Sequence, residues 1–378
     1  MANSAATNAI NAYRENIALR RAYIANSKFM RINQTNSQAI QAGVNNYQMP
    51  LQSQGMLVSV DLEFNLTITN SGTAAATINV GAPYSFLSQI SFVDQGSMTR
   101  SQLTGIGLFE LHNLLSRGSF PWGGSGVQNE GNVINSFAYP TLPPTIAAGA
   151  TETYIFRINL PVSRSKSDLT GAVLLQTSQT STAANVKFTL NPLTGLPDSP
   201  FTIASGGNIA ITTGTCTMRQ NYWQPFANVV IPPQDLGSIN YMWETSNDTT
   251  NLVAGYVKEI PLQIQYPTDI MALTYYNGES FTYGTDISMM EEWLGDTRKT
   301  NSSPSQRYYD YRLANGFDEL PGHYTFDYRD QPLINQQLGT FTLRFTPSSA
   351  VLGSAFVRSL YRQTRPVDGI TPSLLQAA

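Results

Sequence analysis

The 378-residue chain has one cysteine, Cys216, and two histidines, His112 and His323. A single cysteine rules out an intrachain disulfide and a zinc site built on several thiolates. Two histidines are too few for most metal or catalytic schemes. Charge is scarce too. Asp, Glu, Lys and Arg make up 12% of residues, about half the usual share. Hydrophobic residues stand at an ordinary 41%, so the chain is expected to carry broad surfaces that need not all face water. Its net charge of −3 does not suit non-specific coating of nucleic acid. No run of 18 apolar residues is present to span a bilayer. The first thirty residues lack the apolar core of a signal peptide, so synthesis and residence, or assembly, in a cytoplasm are expected.

Catalytic patterns are missing as well. Glu110 and His112 sit two apart on an expected helix and face different directions, which suits neither metal nor acid–base work. Asp318 with Glu319, and Asp327 with Asp330, form carboxylate pairs, but no pocket pattern sets their environments apart. There is no nucleophile elbow, Walker loop or zinc spacing. Trp122, Trp223, Trp243 and Trp293 read as packing residues. No cofactor and no metal are expected.

The first 32 residues differ from the rest. Arg14, Arg20, Arg21, Lys28 and Arg31 stand against Glu15 alone, and Ile10, Ile17 and Ile24 recur every seven residues beside Tyr13. Two readings remain open. One is a polar arm that frays in solution; the other is a basic amphipathic helix over about 5–30 that docks on a partner subunit or an anionic surface.

From about residue 47 the pattern changes to strands. In "VSVDLEFNLTITN" Val58, Val60, Leu62, Phe64, Leu66 and Ile68 alternate with polar residues, as a half-buried antiparallel strand requires. "ISFVDQGS" runs into a turn at Gly96, and Leu103, Ile106, Leu111, Leu114 and Leu115 then take helical spacing over about 104–117, with Gly118 placed to stop the helix. The stretch 143–176 has a glycine-containing start, but a β-run follows it: Tyr154, Phe156 and Ile158 alternate with Ile155, Arg157 and Asn159. A phosphate loop needs a helix there, so this is a turn leading into sheet. Next, "SDLTGAVLL" gives a loop and a strand, with Asp168 or Thr170 suited to bond the turn backbone.

The second half repeats the theme. "EIPLQIQYP" alternates, "IMALTYYNGES" gives a strand and a turn at Gly278, and "GTDISMMEEWLG" reads as a short helix on Ile287, Met290 and Trp293. Gly96 and Gly278, Thr104 and Asp286, and Glu110 and Glu292 share one offset of 182. Two β-rich units of one plan, with equivalent turns at Gly96 and Gly278, are therefore expected. Pro225, Pro232 and Pro233 mark the join. The stretch 307–329 interleaves Arg307 and Arg312 with Tyr308, Tyr309 and Tyr311. Its acids cancel the charge, which favours a protein interface over base stacking.

These features resemble the major capsid protein family of tectiviruses, tailless icosahedral bacteriophages with an internal membrane. The blocks that carry the likeness are "TIAAGAT" at 145–151, "SDLTGAVL" at 167–174, "GTDI" at 284–287, "DTRK" at 296–299 and "YRDQP" at 328–332, in that order. The resemblance spans about residues 5–365. It implies an all-β fold of two tandem eight-stranded jelly-roll barrels with short helices and an N-terminal helix. The expected organisation is a basic arm over 1–46, a first jelly roll over 47–224, a linker over 225–240, a second jelly roll over 241–366 and a tail over 367–378. The implied role is structural. Homotrimers with a pseudo-hexagonal footprint would tile an icosahedral shell around a membrane, in a virion assembled in the host cytoplasm. Implied partners are neighbouring trimers, minor and vertex proteins, and the internal membrane through Arg14, Arg20, Arg21, Lys28 and Arg31. Subunit contacts would use Arg307, Tyr308, Tyr309, Tyr311 and Arg312, and sequence-specific nucleic-acid binding is not expected. The competing classes are a jelly-roll carbohydrate-binding or adhesin protein and a β-sandwich glycoside hydrolase; the latter needs two carboxylates in one cleft.

Overall fold

Alternation of apolar and polar residues builds most of this chain. In the 15-residue strand Met56–Asn70, Val60, Leu62, Phe64, Leu66 and Ile68 are all fully buried. Facing them across the ladder, Tyr154, Phe156 and Ile158 are buried too, while Ile155 and the polar positions between point outward. In this computed structural model the described residues are 18, 20–33, 37–79, 81–116, 142–175, 183–196, 198–226, 238–248, 253–262, 264–277, 280–281, 287–303, 306–307, 309–310, 313, 323–329, 340–347 and 356–366.

In chain order the strands of the first half are β1 (Ser27–Asn33), β2 (Gln38–Gln41), β3 (Asn46–Pro50), β4 (Met56–Asn70), β5 (Ala76–Ile78), β6 (Leu87–Val93), β7 (Thr99–Leu103), β8 (Thr145–Ile146), β9 (Thr151–Pro161), β10 (Val173–Leu174), β11 (Asn185–Leu190), β12 (Phe201–Ile203) and β13 (Ile209–Pro225), with helix α1 (Gly105–Ser116) after β7. The second half holds β14 (Ser238–Asp248), β15 (Lys258–Pro261), β16 (Thr268–Asn277), β17 (Ser280–Phe281), β18 (Ile287–Leu294), β19 (Thr297–Ser302), β20 (His323–Asp327), β21 (Phe341–Pro347) and β22 (Phe356–Pro366).

The pairing gives the topology. β1 and β2 both border β13 and so form one interrupted edge strand, and the order continues β13–β4–β9. The opposing sheet of the first half runs β3–β11–β6–β7. Numbering the eight long positions in chain order, the two sheets read 1-8-3-6 and 2-7-4-5. The second half repeats both orders, as β14–β22–β16–β20 and β15–β21–β18–β19. Each half is therefore an eight-stranded jelly roll. The barrels share one nine-stranded sheet, because β7 of the first pairs in parallel with β14 of the second through Ser101–Met242 and Gln102–Trp243.

The duplication holds in fine detail, at offsets other than 182. β1 starts at Ser27 opposite Pro225, and β14 starts at Ser238 opposite Pro366. The third strand of each barrel bulges at the same place, at Val58 opposite Asn221–Tyr222 and at Asp269 opposite Arg362–Gln363. The hairpin between the fourth and fifth strands also bulges alike, with Arg100 and Lys299 the extra residues. The turn at Gly96 thus corresponds to the turn at Gly295 and Asp296, not to Gly278. Gly278 itself lies outside the described residues.

The expected helix on Ile287, Met290 and Trp293 is strand β18. A bulge at Ser288 puts Ile287 and Met290 on one face three residues apart, so a broken period of two imitates a helix. The arm differs as well. Residues 20–25 are helical, but β1 and β2 follow at once and belong to the first barrel, so the barrel begins inside 1–46. Helix α1 lies one residue inside its expected bounds at each end.

The first core fills the first barrel, takes in α1, and reaches outward-facing Met242, Ile270, Ala272 and Leu360 of the second. A second core, including Met271, Leu273, Tyr275, Leu343 and Phe345, fills the second barrel. Helix α1 thus lies between the first barrel's interior and the outward face of the second barrel's β14–β22–β16–β20 sheet.

Candidate assembly surfaces and the joint between the barrels

The joint is built from buried and half-buried polar groups whose bonds reach from one barrel to the other. Glu244 of β14 accepts hydrogen bonds from the Thr104 backbone N–H at 2.7 Å and from Thr104 Oγ1 at 3.0 Å. Thr104 in turn caps α1 by accepting from the Gly107 N–H at 3.0 Å. A carboxylate at a helix N-terminus meets the positive end of the helix dipole. Burial pushes the Glu244 carboxyl up, opposed by Arg358 and by the Thr104 bonds. Further along α1, buried Glu110 accepts from Thr325 Oγ1 of β20 at 3.1 Å. On β16, buried Asp269 takes both arms of Arg362 at 2.8 and 2.7 Å and Arg164 of the first barrel at 3.1 Å.

Asn240 fits against Gly171, where a Cβ would meet its Cγ at 2.4 Å, and donates to the Thr170 carbonyl at 3.0 Å. Gly171 also has φ +81°, so a side chain there meets both strain and a clash. Removing one partner of a buried ionic pair costs about 3–5 kcal/mol, so the joint fixes one orientation. None of this was read from the sequence. The available signal was a lone acid in a β-run, Glu244 in "NYMWE" and Asp269 in "PTDIMAL".

The arm's basic residues divide. Arg20 donates to Thr170 Oγ1 at 2.7 Å and to Ser238 Oγ at 2.8 Å, which ties the arm to both barrels at the joint. Arg31 forms an ion pair with buried Asp61, whose carboxylate also accepts from Asn159 and Asn221. Arg21 and Lys28 are exposed. Tyr23 is buried and donates to the Trp223 carbonyl at 3.2 Å. Lys28 and Arg31 sit in β1 rather than a helix, and Arg14 lies outside the described residues.

Of the Tyr- and Arg-rich stretch, Arg307 stacks its guanidinium 3.8 Å above Phe326 of its own barrel. Tyr309 and Leu313, four residues apart and each in helical conformation, are 64% and 74% exposed. Tyr308, Tyr311 and Arg312 lie outside the described residues. Glu110 and His112 are both buried, and Tyr84 Oη lies 2.8 Å from His112 Nδ1. Asp168 Oδ1 accepts from Thr170 N at 3.0 Å, the turn bond expected of it.

The outward face of the first barrel's six-stranded sheet carries a cavity of about 560 Å³ lined by Phe29, Arg31, Asp61, His112, Asn159 and Asn221 among others. Among the described residues no group of three or more His, Cys, Asp and Glu side chains is placed to hold a metal ion.

Comparison with known proteins accounts for this arrangement. Residues 3–227, more than half of the chain, match the family model described as P3 major capsid protein N-terminal. The chain is 26% identical over 324 residues to the major capsid protein P3 of Enterobacteria phage PRD1, covering 78% of this chain and 76% of that one. Its fold resembles the MCP of STIV, the Sulfolobus Turreted Icosahedral Virus, with TM-score 0.66, 15% identity, and coverage of 93% of this chain and 99% of that one. It also resembles the major capsid protein P2 from Bacteriophage PM2, with TM-score 0.51, 11% identity, and coverage of 90% and 100%. Those two likenesses show the double jelly-roll fold; the family match goes further. A duplicated barrel with a polar joint, matched to that family over its whole first barrel, is a structural component of a virion shell rather than an enzyme: the chain belongs to the P3 major capsid protein family.

Proposed function

We propose that the chain forms homotrimers with a pseudo-hexagonal outline that tile an icosahedral shell around an internal membrane, assembled in the host cytoplasm and joined there by vertex proteins. The observation that carries this reading is the duplication: two barrels of identical strand order in one chain. Three such chains present six like barrels, and a six-sided outline tiles a flat facet. The scarcity of charge supports wide subunit contacts, since obligate interfaces exceed about 2,000 Å² and are more apolar than ordinary surface.

The arm supports an inward contact with anionic lipid through Arg21 and Lys28, exposed members of its basic set, while Arg31 is committed to Asp61. Each basic side chain near such a surface contributes about 1 kcal/mol, and many copies in one shell add avidity. Native mass measurement at micromolar concentration tests the trimer; a monomer of 41.4 kDa rejects it. Sedimentation with phosphatidylglycerol vesicles tests the arm. Arg21→Glu with Lys28→Glu is expected to abolish binding, and unchanged binding removes the arm from that role.

A further inference from the structure

The two barrels are equivalent strand by strand, yet their surroundings differ at two places. In the first barrel the outer edge of β7 is occupied by β14, in parallel, through Ser101–Met242 and Gln102–Trp243. Its counterpart in the second barrel, β19, pairs only with β18 among the described residues, and five of its six residues are exposed. Likewise β14 has neighbours on both edges, while its counterpart β1 pairs only with β13. One chain therefore contains one filled junction and the two separate halves of a second.

The helices repeat this asymmetry. Helix α1 follows β7 and lies on the outward face of the second barrel. After β19, Tyr309 and Leu313 are each in helical conformation. The bulges at Arg100 and Lys299 set an offset of 199, and at that offset Tyr309 and Leu313 correspond to Glu110 and Leu114. Those two are 1% and 0% exposed, against 64% and 74%. The surface equivalent to the one α1 covers is the outward face of the first barrel, where the cavity lined by Phe29, Arg31 and Asp61 opens.

The geometry points to a second copy of this chain as the occupant of both. β19 of one subunit lies parallel to β1 of the next, with Thr300 beside Arg31 and Asn301 beside Ile32. Tyr309 and Leu313 cover the neighbour's cavity. This contact rests on the trimer reading above and names its residues. It is head-to-tail, so it propagates from subunit to subunit and closes when the third meets the first. The closed ring then makes one kind of junction six times, three within chains and three between them. An open β-edge of this kind attracts unwanted partners until it is filled.

A cysteine pair tests it. Adjacent strands stand about 4.8 Å apart, within disulfide reach. Cys216 is buried and does not interfere. Arg31 is left intact because it holds Asp61. Ile32→Cys with Asn301→Cys in one chain is expected to give linked trimers on a non-reducing gel that revert with dithiothreitol, while each single variant runs as a monomer. A trimeric native mass without cross-linking overturns this contact and leaves the trimer standing; a monomeric native mass overturns both. Tyr309→Ser with Leu313→Ser, whose side chains touch solvent in the single chain, is expected to keep the circular dichroism spectrum and to raise the concentration for half-dissociation at least tenfold. An unchanged dissociation profile removes the helix from the contact.

Discussion

Gly107→Ala sets two effects of opposite sign against each other at the joint. In an ordinary helix interior alanine is favoured over glycine by about 1 kcal/mol. Here the added Cβ would sit 1.7 Å from Glu244 Oε1 and 3.0 Å from Leu360 Cδ1. A glutamate end is usually free to swing aside, but this one is half-buried and held by two bonds from Thr104 at 2.7 and 3.0 Å. Displacing it gives up hydrogen bonds to a charged group, each contributing about 1.5–3 kcal/mol. The expected net effect is a loss of about 2–5 kcal/mol, since the broken bonds outweigh the helix gain. Differential scanning calorimetry at fixed protein concentration and scan rate would report it as a lowered transition temperature. The cycle with Glu244→Ala isolates the cause, because with the carboxylate gone Gly107→Ala is expected to be neutral or stabilising. A raised transition for Gly107→Ala in the otherwise unaltered chain would refute the claim that Glu244 is fixed at the helix start.

Three more outcomes are expected. Burial depresses His112 from 6.5 to about 4 against the pull of Asp61. Its contribution is therefore complete above pH 6.5 and is lost as pH falls toward 4, by about 3 kcal/mol in all. Urea titrations at pH 7 and pH 5 should show His112→Gln flattening that slope, and parallel slopes would assign the acid sensitivity elsewhere. Arg31→Ala leaves Asp61 with its two amide donors and is expected to loosen β1 by about 1 kcal/mol, discounted for the partial exposure of the guanidinium; limited proteolysis near residue 33 should quicken, and an unchanged cleavage rate would contradict this. Burial also pushes the Cys216 thiol up, so the folded protein should ignore a thiol-specific dye and take up one equivalent only on unfolding.

The sequence displayed its strands wherever one face stayed polar. The alternation through Val60 to Ile68 and through Tyr154 to Ile158 is the burial pattern of β4 and β9. It misled at β18, where one extra residue at Ser288 changed the spacing of buried positions from two to three. The duplication was legible in kind but not in register. The turns after the fourth strands differ in length, residues 94–98 against 295–296, so a single offset cannot carry through the hairpin. The joint was silent because its bonds between barrels join residues far apart in the sequence. Glu244 and Thr104 are 140 positions apart, and Thr325 and Glu110 are 215 apart. The arm's charge was visible, but the commitment of Arg20 and Arg31 to Ser238 and Asp61 required coordinates.

The pairing of β1 with β13 also fixes an order of events during synthesis. Ser27 meets Pro225 and Asn33 meets Arg219. β1 must therefore wait until nearly two hundred further residues have been made. Such long-range ladders form slowly, because loop closure must precede the contacts that reward it. Meanwhile β4 and β9, and β6 and β7, meet their partners over shorter separations. The nascent first barrel thus assembles from its middle outward and takes in β1 last, leaving the basic arm unattached until β13 has emerged. The second barrel then starts with β14, which lays itself along β7. Translation therefore delivers a finished first barrel as the template on which the second begins.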